Sequence, residues 1–509
     1  MDHQGNLRRG WRAGLTALAF ACAHAGTVAP PPARFVQLES EHFLLLTDLP
    51  RAQAQESVRR MEDILAALFQ GSWHGDAMPR ERLQILELAS ARDLHRFASP
   101  TMSAFYQPVD LFGEPMLVTS NEEGGADNVV LKHELAHALH ATFLPRSPRW
   151  FFEGLACYLE TVRFDPVRDR YWIGAPSEDR LQYLRFHPET DFVKALSLPT
   201  REAVLLGADG YGFQSASWLL VFYLANERGR QLDDYVRRLA RREDAQAAFA
   251  AAFNDLRPEE LAAEATRYLQ TLPRDVSSSE AQVRYHMREV RIPPVERRLR
   301  ESEVPADEVE ALRAELFFLS PGLPRSQAHL TESRRALETA LRLDSSNPLA
   351  LAVEMALPEN ADATAPLQRI RAAAARRPSD YRAQMLLAFA VGAQRPEERR
   401  AALVKAAELA PENAAVLNAL AWHELTHGRV AEALPIAQKA AEIAPARAGV
   451  LDTYATALAK ASRCEEAVRV EERAVELTAE HAGGELRKRL LARLDAMRAG
   501  CAEVPLDEE

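Results

Sequence analysis

Histidine is scarce in this chain, 14 in 509 residues, and cysteine is scarcer still at 4. Beyond its first residues no stretch approaches the 18 or so apolar residues a membrane-spanning helix needs, so nothing reads as a bilayer span. Four cysteines are too few for a disulfide scaffold. The net charge is −11 and no basic stripe offsets it, which argues against a nucleic-acid ligand. What remains is a long acidic chain, 47 % hydrophobic, with length enough for more than one domain.

Three of the few histidines fall together in "HELAHALH", residues 133–140. His133 and His137 are four apart, so a helix stacks them on one face. Neutral imidazoles held that way suit a zinc ion, which takes nitrogen ligands at about 2.0–2.1 Å. Glu134 sits one step round, placed to reach a metal-activated water without occupying a ligand position, the logic of an H-E-x-x-H metallohydrolase. Asp127-Asn128 can cap the helix start. Val129, Val130, Leu131 and Leu135 supply its apolar face, and Pro145 and Pro148 close it off within a short loop. Zinc in a catalytic site usually has three protein ligands. The third is Glu153, in "RWFFEGLACYLE" (149–160): a carboxylate behind Trp150, Phe151 and Phe152 is costly to bury unless paired or bound to metal.

H-E-L-A-H followed by W-F-F-E-G-L-A-C-Y-L-E resembles the gluzincin metallopeptidases. It is similar to the N-E-G-[FL]-A-x-[YF]-x-E stretch of their aminopeptidase branch, and closer to bacterial peptidase MA-like domains that precede helical repeats. The resemblance covers roughly residues 35–270 and implies an α+β zincin-like domain. It implies zinc held by His133, His137 and Glu153, water activated by Glu134, and Glu160 orienting a ligand. Two departures count against aminopeptidase activity: Phe152 stands where that branch has asparagine, and no G-x-M-E-N-type segment is present. In metzincins a third histidine ligates zinc six positions past the second, after a glycine. His140 is only three past His137 and is expected at the surface or behind the ligands. Gluzincins also place a downstream tyrosine or histidine near the developing oxyanion. "YGFQSASWLLVFYL" (211–224) resembles that helix, with Tyr211 in the loop before its start as the candidate and Phe213 or Gln214 as alternatives.

Before the helix the pattern alternates. "HFLLLTD" (42–48) and "RLQILELA" (82–89) read as strands with a helix at 51–69 between them. "EPMLVTSN" (114–121) is a third strand, at the place where zincins put the cleft edge that pairs with extended substrate. The N-terminus carries Arg8, Arg9 and Arg12, the uncharged run "AGLTALAFACAHAG" and an A-x-A site at Ala23–Ala25, which reads as a signal peptide over 1–25. A lipoprotein reading with a lipid anchor on Cys22 is the alternative. Either predicts an exported protein, periplasmic or extracellular.

The last third repeats. Ser345, Pro378, Pro411, Pro445 and Ala479 follow similar helix ends at spacings of 33, 33, 34 and 34, and Ala373, Ala406, Ala440 and Ala474 recur five positions before the last four of them. That period matches tetratricopeptide repeats, small residues letting paired helices approach. The expected organisation is therefore a zincin-like metallopeptidase domain over 33–274, a helical connector over 275–330, and an all-α tetratricopeptide solenoid over 331–500. Cys464 and Cys501, near the end of the solenoid, are a candidate bridge. The function expected is a zinc-dependent peptidase acting on a peptide or protein, its repeats receiving a partner protein or peptide. The alternative is a non-enzymatic exported adaptor working through the repeats.

Overall fold

The computed structural model describes residues 34–72, 80–100, 102–107, 110–144, 146–197, 210–273, 285, 287–293, 298–319, 326–357, 366–478, 484–501 and 504–506. The leader reading at 1–25, Cys22 included, lies outside them, as do Pro145 and Ala479. Among the described residues no helix is long and apolar enough to cross a membrane. The chain is mostly helical around a small mixed sheet.

Strands β1 (Val36–Glu39) and β2 (Phe43–Thr47) pair antiparallel. In β2 the buried positions alternate, Phe43, Leu45 and Thr47 facing one side, the period-two signature of a pleated strand. Helix α1 (Arg51–Ser72) then crosses to β3 (Leu83–Leu88), parallel to β2. A short helix, α2 (Ala91–Leu94), and β4 (Ala104–Gln107) follow. β5 (Met116–Ser120) runs parallel to β3 and antiparallel to β4. All of β5 is buried, as a strand covered on both faces and paired on both sides must be. It is therefore not the cleft edge expected of residues 114–121. That edge belongs to β4, which flanks β5 at the end of the sheet.

Helices α3 (Val129–Phe143) and α4 (Arg149–Leu159) come next. The hairpin β6 (Arg163–Asp165) and β7 (Arg170–Ile173) follows, then α5 (Glu178–Phe186), α6 (Phe192–Ser197) and α7 (Gly210–Glu227). Three further helices, α8 (Gly229–Ala240), α9 (Ala245–Ala252) and α10 (Pro258–Thr271), complete this half. Leu45, Ile85 and Leu117 on one sheet face form a single core with α1, α3, α4 and α7. Within it α4 lies very close to α7. A Cβ added to Gly154 would meet the carbonyl oxygen of Ser217 at 2.3 Å, so the glycine after Glu153 sets how deeply α4 seats.

The stretch 275–330, expected to be a helical connector, contributes strands as well. β8 (Arg288–Val290) pairs with β7, and β9 (Arg300–Glu303) pairs with β1, giving the order β4-β5-β3-β2-β1-β9. The "RESE" of β9 is mostly exposed, so it joins through its main chain and carries no apolar pattern to read. Its helix, α11 (Ala306–Leu319), packs Leu316 and Phe317 against Leu86, Phe105 and Val118 on the second sheet face.

Ten helices then follow among the described residues: α12 (Gln327–Leu343), α13 (Pro348–Ala356), α14 (Pro366–Arg376), α15 (Tyr381–Val391), α16 (Pro396–Leu409), α17 (Ala414–Thr426), α18 (Val430–Ile443), α19 (Ala448–Lys460), α20 (Cys464–Leu477) and α21 (Glu485–Arg498). Neighbours pack in succession, α15 on α16, α17 on α18 and α19 on α20. The recurring alanines sit in these seams: Ala373, Ala406, Ala440 and Ala474 are all buried. A side chain larger than a methyl there would push the paired helices apart.

Cys464 opens α20, Cys501 follows α21, and the two are bonded across a Cα separation of 5.8 Å. At a sequence separation of 37, the chain-entropy model puts the stabilisation at about 4 kcal/mol, applied at the last described helix of the array. Thiol titration of the denatured, unreduced protein lacking residues 1–25 is expected to find one free thiol, buried Cys157. Three free thiols would rule the bridge out.

Candidate metal centre

The helix carrying the histidines is anchored before it begins. Asn128 caps α3 by accepting the N–H groups of Val130 (2.8 Å) and Leu131 (3.2 Å). Its amide donates to the carbonyls of Glu123 (2.6 Å) and Ser103 (3.3 Å). One side chain thus satisfies two orphan donors of the helix start and ties it to the residue before the edge strand. Asp127, the other capping candidate, instead faces Arg60 at 3.3 Å.

One turn on, the rings of His133 and His137 stand edge to face with centroids 4.4 Å apart. Glu153 on α4 reaches both. Its Oε2 lies 3.5 Å from His133 Nε2 and its Oε1 lies 3.5 Å from His137 Nε2. A ligand atom from each of the three residues falls within 4.8 Å of the other two. Donor atoms at about 2.0–2.2 Å from a tetrahedral zinc stand roughly 3.4 Å from one another, so both 3.5 Å spacings match those of donors around one ion. His137 also stacks on Phe152, with centroids 4.3 Å apart and planes 10° from parallel, and this aromatic contact fixes its ring.

Glu160, at the end of α4, stands 2.7 Å from His133 Nδ1 and accepts from Arg180 at 2.7 and 3.0 Å. Because a carboxylate accepts, it fixes a hydrogen on Nδ1, so the nitrogen that His133 can offer a metal ion is Nε2, on the Glu153 side. Glu153 has partners of its own: Arg149, four residues earlier, holds Oε1, and Gln214 donates to Oε2 at 3.2 Å.

The charges follow from this packing. Burial alone would raise the Glu153 carboxyl. The charge of His137, hydrogen bonds from both imidazoles and the nearby Arg149 outweigh it and hold the group well below the usual carboxylate range. Burial likewise pulls the His133 imidazolium down, but hydrogen bonds with Cys157, Glu153 and Glu160 carry it well above the usual range. His140 goes the other way: burial, then the charge of His137, push it well below, so it stays neutral. It is not at the surface. It lies buried, 2.7 Å from Ser147 Oγ, with its ring against Phe152.

His133, Cys157 and Glu160 form a second grouping with metal-ligand chemistry. Burial pushes the Cys157 thiol up, away from the thiolate a metal takes, and Arg180 already occupies Glu160. The first grouping is the better cradle.

Glu134, beside His133 on α3, is partly exposed. On the edge strand, which packs near α3, Tyr106 is 41 % exposed. Burial, with the negative charges of Glu134 and Glu81, pushes its phenol up to about 12 against the opposing charge of Arg447. Tyr211 lies inside the first turn of α7, not in a loop before it. It is 44 % exposed, its ring faced by the Arg180 guanidinium at 5.4 Å and set edge-on to Tyr183. Of the three downstream candidates Gln214 is the one bonded to Glu153, while Phe213 is buried in the core.

Sequence reasoning missed Arg149, Arg180 and Tyr106. An arginine four residues ahead of a buried glutamate was the available signal for the first. Arg180 and Tyr106 come from elements whose proximity only the fold supplies. No family model matches the chain, and no curated protein matches it either.

Proposed function

We propose that this chain is a zinc-dependent metallohydrolase, a gluzincin-type peptidase with a tetratricopeptide-like repeat array. The observation that carries it is the Glu153 carboxylate standing 3.5 Å from one nitrogen of each imidazole, all three ligand atoms within 4.8 Å of one another, with His133 oriented from behind by Glu160. In this reading His133, His137 and Glu153 hold the ion, which when bound supplies Lewis acidity to a water and to the scissile carbonyl. A Glu134 carboxylate oxygen takes the proton of the attacking water and passes it to the leaving amine. Gln214 and Arg149 keep the Glu153 carboxylate aimed. Tyr106, on the edge strand that packs near α3, and Tyr211, under the Arg180 guanidinium, are the phenols available for stabilising the oxyanion. The outer side of β4 pairs with no strand among the described residues, so an extended peptide can add there by main-chain hydrogen bonds. The groove of the repeats is left for a partner protein or peptide.

The non-enzymatic reading has less support, because a purely structural metal site has no use for a partly exposed carboxylate beside its first ligand. A peptide-library screen with zinc-loaded protein decides between them: cleavage by the wild type that is lost in Glu134→Gln supports the enzyme. The support from behind is separately testable. Glu160→Gln keeps the shape of the side chain but removes the charge, and is expected to weaken zinc binding about 10–100-fold in competition with a chromogenic chelator. Unchanged affinity would mean that Glu160 does not orient the ring.

A further inference from the structure

The repeats do not stand apart from the metal cleft. Their inter-repeat turns form a rim that touches the first half of the chain at successive units. Tyr381 reaches Glu114 at 3.4 Å, and Asn413 binds the same carboxylate. Arg447 donates to the carbonyl of Gly113 at 2.5 Å and pairs with Glu81. Gly113 and Glu114 lie in the turn that joins β4 to β5, and a Cβ on Gly113 would stand 3.3 Å from that of Ala415. The edge-strand wall of the cleft is thus fastened to the rim.

The opposite wall is fastened too. Arg473 donates to the carbonyl of Thr142, in the last turn of α3, at 3.2 Å. Glu476 pairs with Arg146 at 2.5 Å, just beyond that helix. Arg447 caps α19, and Arg473 and Glu476 lie at the end of α20, so a single helix pair holds both walls. We infer that the unit from Arg447 to Glu476 is a strap across one end of the cleft, and that it restricts the site to extended, unfolded polypeptide.

Magnitudes carry the restriction. The two anchors sit on neighbouring helix ends, and packed helices lie about 8–10 Å apart. A strand adding to β4 takes about 4.7–4.9 Å, whereas a helix with its side chains is about 10–12 Å across. A strap whose anchors stand that far apart would pass a strand and reject a helix or a folded surface. Tyr106 lies on β4, the strand that leads into the Gly113–Glu114 turn held by Arg447. The Cys464–Cys501 bridge fastens the start of α20 to the end of the chain, which stiffens the strap.

The selectivity part of this inference rests on the peptidase reading, while the strap itself does not, and the test separates them. In the full-length protein, Tyr106→Cys places a thiol at the edge strand. Its alkylation by iodoacetamide and by a polyethylene-glycol maleimide is compared with and without Arg447→Ala/Glu476→Ala, the parent without Tyr106→Cys reporting background. Iodoacetamide should react at similar rates in both. The bulky reagent should react at least about tenfold faster once the anchors are removed, the cost of a local opening of about 1.4 kcal/mol. Equal rates with the bulky reagent, in proteins of equal helix content, overturn the strap. On the native Tyr106 background, the same anchor variants should gain cleavage of a folded protein relative to a short flexible peptide. If access widens and that ratio does not move, the selectivity falls and the strap stands. If neither protein cuts any peptide, the peptidase reading falls with it.

Discussion

Glu153→Ala is expected to leave the purified protein without stoichiometric zinc, with affinity reduced by well over the ~10–100-fold that loss of a supporting contact costs. Two imidazoles alone leave the ion short of the three protein ligands a catalytic site normally provides. The substitution also strips a buried carboxylate from among His133, His137, Arg149 and Gln214. Removing one partner of a buried pair typically costs about 3–5 kcal/mol in stability, so metal content alone would confuse an unfolded protein with a ligand-free one. Metal analysis therefore has to be read beside the circular dichroism spectrum, and beside Arg149→Met, which removes a partner of Glu153 without removing a donor atom. The expected pattern is a folded Glu153→Ala protein without zinc and a folded Arg149→Met protein with it. Zinc bound by Glu153→Ala as tightly as by wild type would discard the ligand assignment.

The part of the site written on one helix was legible because helix geometry converts spacing into position. A spacing of four from His133 to His137 puts both rings on one face, and Asn128 was a readable cap. Glu153 was legible from its cost: three aromatics ahead of a carboxylate demand a partner, and it has four. The strands at 43–47 and 83–88 and the helix between them fall where alternation placed them. So do the helix ends at the period of about 34, with small buried residues at the seams. What failed to show were elements held by main chain rather than by side-chain pattern. β4 has four residues, too few to display a period, and the residues of 114–121 that drew attention were apolar because that strand is interior. β9 is charged along its length and joins the sheet from a stretch that composition assigned to helix. Tyr211 was misplaced by one turn because two flanking glycines read as a loop, although α7 begins at Gly210. The rim contacts lie beyond any sequence signal, since Arg447 and Glu81 are charged surface-type residues that topology brings together.

The sharpest separation of binding from chemistry comes from Glu134→Gln. The substitution preserves the shape of the side chain and touches none of the three donors, so zinc content and thermal midpoint should match wild type. What it removes is the proton acceptor. General-base contributions run at about 10²–10⁴-fold, and peptide cleavage should fall by that factor in kcat/KM, with the loss in kcat rather than in KM because the missing contact forms only as the proton moves. The partly exposed position of Glu134 keeps it in reach of water without a ligand role, and that is why the variant can stay loaded. Equal cleavage by both proteins would assign the activity to a contaminant. A variant that loses zinc together with activity would move Glu134 from the chemistry to the structure of the site. Only retained zinc with lost turnover, measured on one preparation, makes the carboxylate the base.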